Sequence, residues 1–272
     1  MKQVKAKVIT NEQILGELRR HRDILRPFTL RDILGSWIIW LRCPEIAQEA
    51  KPGQFVMVCC GKELTLPRPF SIHQISGDHL ALFYAVWEGG KGTNWLSQRQ
   101  LGDTVELFGP LGNGFSISPT SKNLLLVAGG IGIAPLYFLA EQALNKGYAV
   151  TLLYGSANKS RYQVLLPLKL VDATEDGTIG YKGMVTDLLP NFAVQADQIF
   201  ACGPIPMYRD MAAKKQELKL EGKPVQISLE VRMGCGHGVC YGCTVKAKTG
   251  LRQVCTDGPV FKLDDILWDE LP

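Results

Sequence analysis

The stretch NLLLVAGGIGIAPLYFLAEQALNKG, residues 123–147, decides the architecture of this chain. Residues 124–140 carry no charge and reach the lower length limit of a membrane-spanning helix, about 17 residues. Gly129, Gly130, Gly132 and Pro135 interrupt the run in its middle. Glycine raises the entropic cost of a helix interior and proline removes a backbone donor there. The reading is therefore a buried strand, a glycine turn, and a helix with Pro135 in its first turn and Gly147 at its C-terminal end. Proline suits the first helical turn, and glycine suits the residue after the last.

Downstream, AVTLLYGSA (149–157) and QIFACGP (198–204) are two further apolar strands. IPMYRDMAAKKQELKL (205–220) follows as a helix. Apolar strands alternating with helices predict a parallel α/β sheet covered on both faces. Upstream the character changes. FVMVCC (55–60), RPFSIHQI (68–75), LALFYAV (80–86) and TVELFGPLG (104–112) are short β-rich runs separated by glycine turn signals. Such spacing predicts a small antiparallel barrel or sandwich. The basic, locally helix-like run LRRHRDILRPFTLRDIL within residues 1–35 reads as an N-terminal extension or a surface helix.

A length of 272 residues accommodates two domains and a small third. With 46% hydrophobic and 21% charged residues, the chain can build its cores without disulfide staples. The net charge of +4 is mild, and no basic stripe interleaves with aromatics, so nucleic acid is not an expected partner. MKQVKAKVITNEQ lacks the apolar centre of a secretory signal, and no membrane span is expected, so the expected location is cytoplasmic. In a reducing compartment, clustered cysteines are read as metal ligands or catalytic groups before disulfides.

Four of the eight cysteines lie within CGHGVCYGC (235–243) and at Cys255, spaced Cys235-x4-Cys240-x2-Cys243-x11-Cys255. This is the plant-type spacing for a [2Fe–2S] cluster. Three thiolates from one loop must converge on two irons. Gly236, Gly238 and Gly242 allow the loop to curl with positive φ and to aim N–H groups at sulfur. Structural zinc usually takes two short cysteine knuckles placed well apart. The spacing favours iron–sulfur, with zinc and free thiols as the alternatives. His237 reads as a loop residue beside the cluster. Cys43, Cys59 and Cys60 show no pairing logic, and the last two read as small buried hydrophobes.

Five weaker signals concern nucleotides. Gly129, Gly130 and Gly132 sit where a pyrophosphate can meet a helix N-terminus, although Pro135 breaks the strict G-x-G-x-x-G pattern. Glycine turns of this kind also serve packing alone. RPFS offers Arg68 to a phosphate, and GGKGTNWL (89–96) offers the Gly92 N–H and the Thr93 hydroxyl. Cys202 ends a parallel strand, where ligands of such sheets bind. It reads either as a group at the edge of a bound nicotinamide or as a small packing residue. In GSANKSR (155–161), Ser160 and Arg161 stand where a 2′-phosphate would be read, or are solvated loop residues.

The order of KPGQFVMV (51–58), RPFSI (68–72), GPLGNGF (109–115), VAGGIGIAPL (127–136), ACGPIPM (201–207) and CGHGVCYGC…VCTDGPVF (235–261) resembles the ferredoxin–NADP reductase-like family. Within it, the chain is most similar to the electron-transfer subunits of NAD-linked dihydroorotate dehydrogenases, over about residues 35–268. The resemblance implies a multi-domain α+β protein: an antiparallel β-barrel FAD domain over 1–118, a parallel α/β NAD domain over 119–222, and a small [2Fe–2S] domain over 223–272. It implies that Arg68, Pro69, Phe70 and Ser71 bind FAD, that Tyr84, Ala85 and Val86 line the flavin, and that Gly92 and Thr93 hold its phosphates. Phe70 stands where the wider family carries tyrosine. Cys235, Cys240, Cys243 and Cys255 would hold the cluster.

Nicotinamide takes two electrons as hydride, an iron–sulfur cluster carries one, and a flavin handles both. The implied function is to carry electrons from an FMN-bearing catalytic subunit, where dihydroorotate is oxidised, through the cluster and FAD to NAD+ in pyrimidine (UMP) biosynthesis. The implied assembly is a heterotetramer with two copies of each subunit. The rival readings are a ferredoxin- or sulfide-linked NAD(P)H reductase subunit and a zinc-stabilised nucleotide-binding regulator. The chain departs from the family by roughly fifteen extra residues between VITNEQI and GSWIIWLR, which leaves the path of the first strand open.

Overall fold

The computed structural model describes residues 2–16, 33–61 and 63–271. They form two compact units, Met1–Ala50 with Phe55–Pro110, and Lys51–Gln54 with Leu111–Pro272.

The first unit is a barrel. β1 (Lys2–Leu15) and β2 (Ile33–Arg42) pair antiparallel, from Lys7 opposite Arg42 to Leu15 opposite Ser36. A short helix α1 (Pro44–Ala47) leads to β3 (Phe55–Cys59), β4 (Arg68–Ser76) and β5 (His79–Trp87). Helix α2 (Lys91–Ser97) then precedes β6 (Thr104–Leu111). Among the described residues these strands close in the order β1-β2-β5-β4-β3-β6. Alternation decides which face is inward. In β6, Val105 and Leu107 are buried while Thr104 and Glu106 are exposed. Ile39, Leu41, Ile72, Leu80 and Leu82 are all fully buried, and each such side chain contributes about 1.5–3 kcal/mol by leaving water.

Residues 2–15 form a barrel strand, which settles the path of the first strand that the extra residues had left open. Their inward apolar positions are few, chiefly Ala6 and Val8. Pairing with β2 and β6 supplies what the local pattern lacks. Ile33 and Leu34, the end of the basic run, begin β2. The rest of that run, residues 18–32, lies outside the described residues.

The second unit is built on the glycine-turn stretch. β7 (Asn123–Gly129), a one-turn 3-10 segment and helix α3 (Ile133–Asn145) follow in succession. α3 ends as its glycine requires. Gly147 has φ +82, its N–H donates to the Leu144 carbonyl at 2.9 Å, and the Tyr148 N–H donates to the Ala143 carbonyl at 3.1 Å. That is a complete Schellman cap.

β8 (Ala149–Ser156), β9 (Lys169–Thr174) and β10 (Tyr181–Lys182) extend the sheet on one side of β7. Helix α4 (Leu189–Phe192) precedes β11 (Gln198–Cys202), and helix α5 (Ile205–Ala213) precedes β12 (Val225–Ser228). The hairpin β13 (Thr244–Ala247) and β14 (Gly250–Gln253) stands apart, and β15 (Val260–Lys262) closes the chain's strands. The sheet order is β10-β9-β8-β7-β11-β12-β15, with β8, β7, β11 and β12 parallel and β15 antiparallel to β12. β12 and β15 flank the cysteine segment, so residues on both sides of it belong to this sheet. No described helix is long and apolar enough to cross a membrane.

α5 stops at Ala213, short of the expected residue 220. Leu218 and Leu220 are both buried, a spacing of two that no helix face satisfies. Lys219 between them adopts φ 58.

Candidate functional site

The cysteine loop is shaped by backbone conformation first. Gly236 and Gly238 have φ +77 and +83, as expected. Gly242 does not take positive φ. Tyr241 does, at φ 56, and its ring is exposed. Gly242 instead gives a donor, and a side chain there would meet only ordinary contact. A Cβ there would lie 3.5 Å from the Cys240 Sγ, and its N–H points at that sulfur at 3.5 Å.

Other N–H groups converge on sulfur. Val239 and Cys240 donate to the Cys235 Sγ at 3.3 and 3.4 Å. Gly238 donates to the Cys255 Sγ at 3.2 Å, and Cys255 to the Cys243 Sγ at 3.4 Å. Such donors stabilise thiolate and cluster charge.

The cysteines fall into two pairs, Cys235 with Cys240 and Cys243 with Cys255, in each of which the backbone N–H of the later residue donates to the sulfur of the earlier. Among the described residues, no group of three or more His, Cys, Asp or Glu side chains surrounds a single ion position. Two pairs are the donor set that two bridged irons need. The pairs differ in setting. Cys243 and Cys255 are buried and Cys240 is exposed. Burial raises the Cys235 thiol, but the His237, Cys240 and Val239 N–H groups and the Cys240 thiol outweigh it and bring it down to about 6. Burial and the Cys243 thiol push Cys255 up to about 12. The β13–β14 hairpin returns the chain, so that Cys255 reaches a loop formed twelve residues earlier.

In the glycine turn the three glycines do different work. A Cβ on Gly132 would lie 2.0 Å from the Cys202 carbonyl oxygen, and one on Gly129 would lie 2.8 Å from Pro204 Cδ. Close packing against 202–204 accounts for both. Gly130 has φ +55 with nothing within 4 Å of its would-be Cβ. It is the position where a ligand's phosphate can approach the turn.

Cys202 is fully buried. Its Sγ lies 3.6 Å from the Ser228 carbonyl and 3.7 Å from the Glu230 carboxylate. Burial, then Glu230, push this thiol well above its ordinary value, so it is a neutral donor. Sequence reading missed Glu230. Its only signal is tertiary, since β11–β12 pairing sets Cys202 opposite Ser228. Glu230 is an exposed residue whose carboxylate lies against that thiol, and desolvation there raises it.

In the barrel, Arg68 and α2 come together. A Cβ on Gly92 would lie 3.2 Å from the Arg68 Cγ. Gly92 and Thr93 occupy the first turn of α2, whose N–H groups have no partner within the helix. Gly90, its cap, contributes no side-chain bond. A guanidinium beside such donors suits a pyrophosphate. Pro69 and Ser71 are half-buried and Phe70 is buried, its ring edge-on to Tyr84 at 5.7 Å. The Tyr84 hydroxyl donates to Asn11 Oδ1 at 3.0 Å. The Asn11 amide in turn bonds the Leu96, Ser97 and Arg99 carbonyls and so ties β1 to the end of α2. Ala85 is half-buried and Val86 is buried.

Residues 230–267 match the family model for the iron–sulfur cluster binding domain of dihydroorotate dehydrogenase B. The chain is 38% identical to the dihydroorotate dehydrogenase B (NAD(+)) electron transfer subunit of Geobacillus thermodenitrificans, over 82% of this chain and 89% of that protein. The chain belongs to this family of electron-transfer subunits. The same-named protein of Clostridium acetobutylicum is also 38% identical, over 82% of this chain and 88% of its own length. The matched segment includes all four clustered cysteines, and it selects iron–sulfur over the zinc alternative.

Among solved structures, an NADH-dependent reduced ferredoxin–NADP oxidoreductase studied for flavin-based electron bifurcation has a TM-score of 0.80 and 28% identity, covering 98% of this chain and 91% of its own. A Neisseria gonorrhoeae ferredoxin–NADP+ reductase shares the fold at TM-score 0.59 and 17% identity, covering 80% of this chain and 92% of its own. The expected fold class holds: a closed antiparallel barrel, a parallel sheet with helices, and a C-terminal iron–sulfur segment.

Proposed function

We propose that this chain carries electrons from an FMN-bearing dihydroorotate dehydrogenase catalytic subunit, through a [2Fe–2S] cluster and FAD, to NAD+ in pyrimidine (UMP) biosynthesis. The observation that carries the reading is the two-pair arrangement of Cys235, Cys240, Cys243 and Cys255 in a segment of this family. The flavin supplies the exchange between hydride and single electrons.

The chain's own residues hold and shield these groups. Arg68, with Gly92 and Thr93, neutralises the FAD pyrophosphate. Pro69, Phe70, Ser71, Tyr84, Ala85 and Val86 wall the flavin. Gly130 admits the NAD pyrophosphate to the N-terminus of α3, with Gly129 and Gly132 keeping the turn tight. Cys202, with Glu230, stands at the nicotinamide edge as a neutral thiol. The exposed side of the cluster loop, at Cys240, is where a partner's electron donor can approach. By role the chain divides at 1–118 for FAD, 119–222 for NAD and 223–272 for the cluster. The assembly is a cytoplasmic heterotetramer with two copies of each subunit.

A second reading, a ferredoxin-linked NAD(P)H reductase subunit, is favoured by the solved oxidoreductase that aligns over 98% of the chain. One preparation decides between them. The chain is purified anaerobically from its native cells, and its spectrum, iron content and bound subunits are recorded before and after NADH. Flavin bands and a broad cluster absorbance that bleach with NADH, with an FMN protein in equal amount, are expected. Bleaching without an FMN subunit selects the second reading. A colourless protein overturns both.

A further inference from the structure

The turn after β8 stands beyond the carboxyl end of a parallel strand, where such sheets read the ribose of a bound dinucleotide. An arginine there accommodates a 2′-phosphate. Arg161 is the only arginine in that turn, and it is already engaged. Its Nη2 donates to Asp172 Oδ2 at 2.7 Å, and its Nε lies 2.6 Å from Oδ1. That second contact is too bent for a hydrogen bond, and neither buried atom has another partner. Its Nη1 donates to the Tyr162 carbonyl at 2.9 Å, and its guanidinium lies over the Tyr154 ring at 5.3 Å. Both side chains of the pair are nearly buried, at 12% and 13% exposure.

Asp172 is placed by the sheet, since β8–β9 pairing sets it opposite Tyr154. The turn is pinned besides. The Lys159 N–H donates to Thr178 Oγ1 at 2.8 Å, and Ser160 N–H to Asn158 Oδ1 at 2.9 Å. The remaining cation, Lys159, is exposed. As a solvated point charge it lacks the planar fork that grips a phosphate.

We propose that Asp172 is a specificity-determining residue: it clamps Arg161, so the site favours an adenosine ribose with a free 2′-hydroxyl over one with a 2′-phosphate. A 2′-phosphate would have to displace a buried carboxylate from its partner, and that carboxylate repels it. This rests on the reading that the sheet binds a dinucleotide.

The test uses the purified holo-protein and two ligands that differ only in the 2′-phosphate, 5′-AMP and adenosine 2′,5′-bisphosphate. Each is titrated as a competitor of NADH-driven flavin bleaching. The unmodified protein is expected to bind AMP at least as well as the bisphosphate. Asp172→Asn should improve bisphosphate binding relative to AMP by about tenfold, and raised salt should erase the gain.

The double variant Arg161→Gln, Asp172→Asn carries no buried charge and serves if the single one folds poorly. It should keep the unmodified ratio. A fall in relative bisphosphate binding in the double variant would mean that Arg161 already reads phosphate, and would overturn the proposal. So would an unchanged ratio in a folded Asp172→Asn protein that still binds AMP. If the unmodified protein competes with neither ligand while NADH still bleaches the flavin, the clamp is overturned. If NADH itself does nothing, the dinucleotide reading has failed, and the clamp with it.

Discussion

At the scale of single residues, equal letters perform unequal tasks. Gly130 and Gly132 stand two apart in one turn, yet only Gly132 is pressed against another backbone. Gly132→Ala should destabilise the second unit by about 3 kcal/mol through overpacking. Gly130→Ala should cost only about 1–2 kcal/mol, the strain of a left-handed backbone. Urea midpoints at constant m-value measure both, and a reversed order would refute the assignment. Cys240 permits a functional contrast. Cys240→Ser removes the exposed thiolate of one pair and should abolish the cluster's absorbance and electron transfer from the catalytic partner. NADH should still bleach the flavin band. Loss of both responses would make the cluster structural as well. Phe70 and Tyr84 show what one-dimensional reading omits: each packs against the other, and Tyr84 is fastened through Asn11 to the end of α2.

At the scale of elements, local chemistry sets ends and long-range chemistry sets order. The Schellman cap at Gly147 follows from the amino acid alone. The start of β7 does not. There the Asp197 carboxylate accepts the Asn123 and Lys122 N–H groups at 2.8 and 2.7 Å, bonds that hold it below the usual carboxylate range. A depressed carboxylate contributes stability that is present above its unfolded pKa and lost as pH falls through the folded one. Asp197→Ala should therefore lower Tm at pH 7, and the gap to the unmodified protein should close on acidification below about pH 4. A gap that persists at low pH would mean the side chain acts by packing. The failure to extend α5 to residue 220 has the same kind of cause. Helix propensity favoured continuation, but burial of Leu218 and Leu220 together required turns.

At the scale of the whole molecule, the cluster segment and the nucleotide sheet are covalently interleaved. β12 covers the edge of β11, whose residues Gln198–Cys202 are all buried, and β15 follows the last cysteine. A chain ended at Gly222 should expose that edge, lose cooperative unfolding and aggregate. A soluble 1–222 fragment with an unchanged melting transition would show that the nucleotide unit needs neither strand. This arrangement was not legible in the sequence, because VQIS and VFK are too short to carry a period of their own. The barrel was legible where short β-rich runs are set off by turn signals, at β3 to β6. It was not legible at β1, where few inward residues are apolar.

The sequence by itself determined the cysteine spacing, the glycine turn, the order of the two main architectures and the resemblance to the family. These depend on thiolate spacing, on glycine's access to positive φ and on hydrophobic period, all of which act over a few residues. Only the tertiary structure decided that residues 2–15 close the barrel, that the four thiols split into two pairs of unequal exposure, that Glu230 faces Cys202, and that Arg161 is held by Asp172. Each of these rests on strand pairing or a return of the chain between distant residues, and such contacts leave no local pattern. They form because buried donors, acceptors and charges must find partners wherever the fold brings them.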